Sequence, residues 1–228
     1  MKNLIKILLV CFVTSVTAGN NDIYLTQSGG GAFTLTIDQI GSTNVVGTSA
    51  ARVTMAGSSL TGDFKQQGAT NTLAAAIAQA NSSSWTMYQI GDSNTSTLTA
   101  GGSGSVASSD FDYNATGNSN ILTWLQGSSS AATGGNFDAA ITGNTNDLNI
   151  RCETIGCVNN WDIDGNSNDI DVTQIGTDDK SITFTLVGDS NNIDIDQTTA
   201  ASGVTDTISI VAASTSGTIN LDQCSSGC

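Results

Sequence analysis

The sequence predicts an all-β protein, a two-sheet parallel β-solenoid of about seven coils. Three observations support this fold class. A Gly-x-x-Asn tetrapeptide recurs along the chain, and the steps between its glycines are 27, 23, 26, 26, 22 and 23 residues. Apolar and polar residues alternate on both sides of each tetrapeptide, which is the period of a β-strand. The chain also has few aromatic residues, 5%, but Ile, Val, Leu and Thr recur in alternation, which a disordered chain does not need.

The tetrapeptides are predicted to be the turns that separate the two strands of each coil. Glycine is expected there because it adopts a positive φ without steric cost. Two further copies, Gly156–Asn159 and Gly217–Asn220, fall outside the regular series. The seven regular turns carry Gly41 and Asn44, Gly68 and Asn71, Gly91 and Asn94, Gly117 and Asn120, Gly143 and Asn146, Gly165 and Asn168, and Gly188 and Asn191.

The alternation assigns each strand residue to an inner or an outer face. After the last regular turn, Ile193, Ile195 and Gln197 share one face, while Asp194 and Asp196 share the other. One such strand pair cannot bury its apolar face alone, but stacked coils enclose a continuous core. We therefore expect apolar residues inside and carboxylates outside.

The chain divides into a leader and one solenoid domain. Residues 1–18 combine Lys2 and Lys6 with a short apolar run and a small-residue site, which predicts a signal peptide cleaved after Ala18. Residues 19–228 form the domain: 19–30 lead in, 31–197 carry the repeats, and 198–228 hold a degenerate last coil and a Cys-containing tail. Return loops are expected at 99–110, 127–136 and 198–205, which are rich in Gly, Ser and Ala.

The charge balance restricts the partners. The whole chain has 6 basic and 20 acidic residues, a formal net charge of −14. Loss of the leader removes two lysines and no acid, so nucleic acid and anionic membranes are poor partners for the mature chain. No later segment is long and apolar enough to be inserted in a membrane.

The cysteines are expected to form disulfides because the leader predicts an oxidising compartment. Cys11 falls inside the leader, and the other four are Cys152, Cys157, Cys224 and Cys228. Four cysteines permit three connectivities, of which the local pairs Cys152–Cys157 and Cys224–Cys228 are the simplest. A zinc site is disfavoured because the spacings differ from the usual Cys-x2-Cys.

Glutamines at matching positions predict amide ladders inside the solenoid. The parity places Gln39, Gln66 and Gln89 on the inner face near the turns, and Gln126, Gln174 and Gln197 at the end of the second strand. A buried amide is costly unless it is hydrogen-bonded. Stacked coils solve this, because each amide can donate to one neighbour and accept from the other. The alternative is that these glutamines are surface residues.

These motifs resemble the curlin repeat of curli fibre subunits, in which Gln-x-Gly-x-x-Asn is followed by Gln six residues after the Asn. The resemblance covers roughly residues 30–200. It implies an exported subunit of an extracellular amyloid fibre, used in adhesion or biofilm matrix. Its implied partners are further copies or a related fibre subunit, and a curli-type outer-membrane secretion pore. The sequence departs from the repeat where Ala115, Ile141, Ile163 and Leu186 replace the first Gln.

Other functions find less support in the residues. The chain has no His, which excludes Ser-His and Cys-His catalysis. No enzymatic activity and no cofactor are expected. The stretch around residues 162–175 fails both possible registers of an EF-hand calcium loop. Its nearest calcium candidates are the surface carboxylates Asp162, Asp164, Asp169 and Asp171.

Two alternatives stay open at this point. One is a monomeric solenoid that binds calcium, glycan or ice through an outer face, since Thr34 and Thr36, and Thr97 and Thr99, have Thr-x-Thr spacing. The other is a component of a viral or cell-surface fibre. We expect the fibre subunit in preference to both.

Overall fold

A computed structural model describes residues 20–27, 31–41, 43–48, 50, 53–57, 59–68, 70–81, 83–100, 106–127, 133–153, 157–176, 180–199 and 205–225. The predicted leader, Cys11 and Cys228 lie outside these residues. The described chain is all β-strand without helix and forms a parallel β-solenoid, which confirms the predicted fold class. In this part of the chain there is no helix that could cross a membrane.

Seventeen strands follow one another along the chain. They are β1 (Asn20–Ile23), β2 (Thr26–Gln27), β3 (Ala32–Ile40), β4 (Thr43–Val46), β5 (Val53–Ala56), β6 (Ser59–Gln67), β7 (Thr70–Asn81), β8 (Ser84–Ile90), β9 (Ser93–Ala100), β10 (Val106–Thr116), β11 (Ser119–Gln126), β12 (Thr133–Thr142), β13 (Thr145–Glu153), β14 (Val158–Asp164), β15 (Ser167–Gly176), β16 (Ser181–Thr199) and β17 (Thr207–Ser225).

The strands form two walls, and within each wall every strand pairs in parallel with its equivalent in the next coil. The first wall joins β3, β6, β8, β10, β12 and β14 to the first parts of β16 and β17. The second wall joins β1, β4, β7, β9, β11, β13 and β15 to the second parts of β16 and β17. The short strands β2 and β5 join it through the pairing of β5 with the later part of β7.

The two walls are one continuous hydrogen-bonded sheet, not two separate sheets. All 17 strands belong to one sheet. The reason is visible in β16 and β17, which run through the turn region and pair with each other from Ser181–Thr207 to Thr199–Ser225. The sheet bends between the walls because the chain reverses at each turn, and the core lies inside the bend.

Both ends of the predicted domain are more regular than expected. The lead-in contains β1 and β2, which pair with β4 and β5. The tail predicted to be degenerate contains β17, a 19-residue strand paired with the whole of β16. The return loops are also shorter than predicted, because β9, β10 and β12 extend into them. Parallel stacking extends a strand wherever the neighbouring coil offers backbone partners.

The core is continuous along the solenoid and carries a column of aromatic rings. Six successive ring pairs have centroids 4.5–6.5 Å apart. Aromatic contacts at these distances add to the hydrophobic gain from burial. The column contains Phe64, Trp85, Phe111, Trp124, Phe137, Trp161 and Phe184, and Trp124 is its member from the second wall.

The turn glycines are required for a reason other than the predicted positive φ. The described glycines with positive φ are Gly47 and Gly127, and neither belongs to a repeat turn. The turn glycines instead touch the neighbouring coil: a Cβ on Gly143 would lie 2.6 Å from the carbonyl oxygen of Gly117, and one on Gly68 or Gly91 would overlap the preceding turn in the same way. Close stacking of turn on turn therefore explains the repeated glycine.

Candidate functional site: the amide ladders and the C-terminal coil

The seven turn asparagines form one unbroken ladder inside the solenoid. Asn44, Asn71, Asn94, Asn120, Asn146, Asn168 and Asn191 stack in register and are 0–4% exposed. Except in Asn191, the last member, each Nδ2 donates to the Oδ1 of the next asparagine along the chain at 2.6–3.0 Å. Several also donate to the backbone oxygen that precedes the next turn glycine. Because the coils repeat in register, every internal member is satisfied.

The ladder has a direction and two different ends. All donors point towards the C-terminal coil, which leaves the buried Asn44 Oδ1 without a donor at the first member and the buried Asn191 Nδ2 without an acceptor at the last. The ladder stops at Asn191 because Gly217 occupies the next register position. The off-series Asn220 lies on the outer face and donates to Asp194.

The first glutamine ladder has the three predicted members. Gln89 Nε2 donates to Gln66 Oε1 at 2.8 Å, and Gln66 Nε2 donates to Gln39 Oε1 at 2.9 Å. Beyond Gln89, Ala115 takes the register position, so no further amide is present there. Instead Gln89 Oε1 accepts from the hydroxyls of Ser96 at 2.6 Å and Tyr113 at 2.7 Å.

The hydrogen bond from Tyr113 to Gln89 was not predicted from the sequence. Tyr113 is a bulky residue of the core, and its hydroxyl closes the ladder. Burial raises the pKa of Tyr113 well above the ordinary tyrosine value, an effect that its hydrogen bond with Ser96 only partly offsets. The phenol therefore stays protonated and acts as a hydrogen-bond donor to Gln89.

The second glutamine ladder differs from the prediction in its membership. Gln197 donates to Gln174 at 2.9 Å, and Gln223 donates to Gln197 at 2.7 Å. Gln126 was predicted to belong to it, but Cys152 stands between Gln126 and Gln174 in the register. The buried Nε2 atoms of Gln126 and Gln174 consequently have no hydrogen-bond partner. Gln223 could have been found from its spacing of 26 residues after Gln197.

The cysteine that interrupts the ladder is used in a disulfide. Cys152 and Cys157 are bonded, with their Cα atoms 6.5 Å apart, as the simplest connectivity predicted. Cys224 is also disulfide-bonded. Its predicted partner, Cys228, lies outside the described residues. The bridge at Cys152–Cys157 is buried and ties the end of β13 to the start of β14.

The outer faces carry columns of aspartates. Asp147 stacks on Asp169, and Asp171 stacks on Asp194. Partial burial, followed by the charges of Asp169, Asp194 and Asp147, raises the pKa of Asp171. Burial also raises the pKa of Asp112, with smaller contributions from Asp138 and Asp110. Stacked carboxylates therefore repel one another across neighbouring coils.

The calcium candidates are not brought together. Asp162 and Asp164 lie on β14 in the first wall, whereas Asp169 and Asp171 lie on β15 in the second wall. Among the described residues there is no group of three or more His, Cys, Asp or Glu side chains that could hold a metal ion. Some aspartates are instead hydrogen-bonded to an asparagine of the next coil, as Asp138 is to Asn160 and Asp169 is to Asn192.

The core is open at the C-terminal coil. In β16, Ile193 and Ile195 are fully buried. Their register partners in β17, Ile219 and Leu221, are 47% and 49% exposed although they point the same way. The described strands pair β17 on one side only, with β16. This coil therefore presents a strand edge together with a row of uncovered apolar side chains.

A buried lysine lies at the corner of the last two coils. The Lys180 side chain is fully enclosed and lies beside the carboxyl group of Asp206 and the hydroxyl of Thr199. Nothing in the local sequence predicts this arrangement, since a lysine that follows two aspartates is typical of an exposed loop. Only the stacking of the return corners brings Lys180 and Asp206 together.

No protein family model, curated protein or solved structure matches this chain. The fold and its interior define the class of protein: a parallel β-solenoid with internal amide ladders and an open apolar edge at its last described strand.

Proposed function

We propose that this protein is an exported structural subunit of a curli-like extracellular fibre, serving adhesion or biofilm matrix, and that copies assemble by stacking their solenoid ends. The observation that carries the proposal is the open C-terminal coil. An unpaired strand edge is a template for another chain, and exposed core residues gain free energy when a further coil covers them.

The N-terminal strands of a second copy fit this end in the register that the solenoid uses internally. The second copy's β3 would lie on the first part of β17, and its β1 on the second part. We assume that strands pair across the junction as equivalent strands pair between neighbouring coils. Leu35 would then lie over Ile208, Ile37 over Ile210, and Ile23 over Ile219. Leu35 and Ile37 are buried in the full-length chain. Stacking therefore requires that their face of β3 becomes accessible once the chain has been exported.

The distribution of charge favours such head-to-tail stacking. Of the 20 acidic residues, only Asp22, Asp38, Asp63 and Asp92 precede Asp110. A head-to-tail junction therefore places the acid-rich end of one copy against the acid-poor end of the next. Along the first wall the same register sets Asp38 over Val211, so this carboxylate does not stack on another.

Three further features support an exported fibre subunit. The Cys152–Cys157 disulfide is typical of an oxidising compartment, and the sequence of residues 1–18 has the pattern of a signal peptide. The second glutamine ladder reaches the open coil at Gln223, where an identical or related copy can continue the hydrogen-bond array. The partners that this proposal implies are further copies or a related subunit, and an outer-membrane secretion pore.

The experiment compares a variant of the open end with a matched surface variant. Protein recovered after export is concentrated and examined by electron microscopy and fibre diffraction. We expect wild-type fibres with the 4.7–4.8 Å cross-β repeat. The double variant Ile219→Arg, Leu221→Arg should keep a β-rich circular dichroism spectrum and lose fibres.

The control is Ile121→Arg, which changes an equally exposed isoleucine, 43% exposed, on the outer face of a middle coil. It should form fibres as the wild type does. A wild type that stays a β-rich monomer at high concentration would contradict the fibre proposal and favour the monomeric binding module. Fibres formed equally by the end variant would show that assembly uses another surface.

A further inference from the structure

Lys180 and Asp206 occupy the same position in two successive coils. Each immediately precedes the first-wall part of its strand, and Ser181 pairs with Thr207 in that wall. The backbone holds the two residues together: the Thr207 amide donates to the Lys180 carbonyl at 2.9 Å, and the Lys180 amide donates to Asp206 Oδ1 at 3.2 Å. Their side chains therefore meet at a corner that strand pairing fixes.

The side chains are enclosed together with one hydroxyl. The exposed fraction is 0% for the Lys180 side chain and 4% for that of Asp206. Lys180 Nζ lies 3.7 Å from Asp206 Oδ1, beyond hydrogen-bond distance, and it donates to Thr199 Oγ1 at 2.7 Å and more weakly to the Gly176 carbonyl at 3.4 Å. The Thr199 hydroxyl in turn donates to Asp206 Oδ2. Amine, hydroxyl and carboxyl thus form one hydrogen-bonded chain.

The enclosed amine and carboxyl group are close but not in direct hydrogen-bond contact, because the nearest N–O distance is 3.7 Å. Two opposite charges removed from water regain their solvation only where the direct geometry is excellent, so an ion pair at this distance is a poor use of the two groups. An amine and a carboxyl group held together in this way are the two reactants of amide condensation.

We propose that Lys180 and Asp206 are joined by an intramolecular amide bond. A proton passes from the Lys180 ammonium to the Asp206 carboxylate, the freed Nζ lone pair attacks Cγ, the N–C bond forms, and the C–OH bond breaks. The departing hydroxyl takes a proton from the amine and leaves as water, so the condensation needs no oxidant or co-reactant. Thr199 Oγ1 relays that proton, because it contacts both Nζ and the carboxyl group. Fixed proximity of the two groups replaces a bimolecular encounter.

Such a bond would secure a coil that pairs with a described strand on one side only. The link joins residues 26 positions apart and ties the start of β17 to the start of β16. The last coil has a described neighbour on one side only, so a covalent tie at its corner opposes fraying. This inference does not depend on fibre assembly, since it concerns a single chain.

Mass spectrometry of the folded protein tests the proposal. Wild type with its disulfides should weigh one water less than its sequence requires, and digestion should release a branched peptide linking Lys180 to Asp206. Lys180→Arg should retain the full mass, which separates the amide from a succinimide at the aspartate. Thr199→Val should slow the loss of water in freshly refolded protein.

Two results would overturn the proposal. The first is a folded wild type that keeps its full mass after prolonged incubation, which would mean that the corner holds an ion pair only. The second is a loss of water that persists in Lys180→Arg, which would place the dehydration elsewhere. The wild-type measurement is decisive even if a variant fails to fold.

Discussion

Removal of one asparagine from the middle of the ladder should cost more stability than removal of the last one. Asn146→Ala deletes the bond accepted from Asn120 and the bond donated to Asn168, at 2.8 and 2.7 Å, and a longer one to the Asp164 carbonyl. It also leaves the buried Oδ1 of Asn168 without that donor. One such orphaned group costs about 1–3 kcal/mol and each lost bond about 1 kcal/mol, so we expect a loss of about 3 kcal/mol.

Asn191→Ala is the matched control, because it removes the same atoms from a site of similar burial. Asn191 accepts one bond, from Asn168, whose Nδ2 keeps contacts with the Gly165 and Val187 carbonyls. The substitution also deletes the buried Nδ2 that has no acceptor. The loss should therefore be at most about 1 kcal/mol.

The assay is urea unfolding followed by far-ultraviolet circular dichroism, with both variants and wild type measured under the same conditions. The unfolding free energy should fall with urea concentration at the same slope in all three proteins, so that the difference in midpoints reports the difference in stability. Equal losses in the two variants would refute the reasoning, because they would show that the cavity, and not the continuity of the ladder, sets the cost.

Three further outcomes are expected. Gly143→Ala should destabilise the protein by several kcal/mol in the same urea assay, because its Cβ would press on a neighbouring turn, whereas Gly31→Ala, with no atom within 4 Å of the new Cβ, should be nearly neutral. Asp171→Asn should raise the urea midpoint at neutral pH and lose this advantage in acid: its folded-state pKa is raised, so wild type gains stability as pH falls and loses it as pH rises through that pKa. Cys152→Gln combined with Cys157→Ser should be more stable than Cys152→Ala with the same partner change, by about 1 kcal/mol, because the new amide can accept from the glutamine of the next coil; equal midpoints would contradict this.

The sequence alone determined the architecture and most of the ladders. Alternation fixes which side chains point inwards, and a shift of one residue would expose the whole apolar set, so the register is strongly specified. The spacing of Gly-x-x-Asn then places asparagine on asparagine. For the same reason the sequence assigns Gln39, Gln66 and Gln89 to one ladder.

The tertiary structure decided what depends on contacts between coils. The glycine requirement comes from the approach of one turn to the next, whereas the local sequence suggested a backbone angle. Cys152 enters the place of a glutamine because return segments of different length still restore the register. The enclosure of Lys180 and the exposure of Ile219 and Leu221 follow from stacking: a corner residue is buried by the next coil, and an inner residue without a next coil stays exposed.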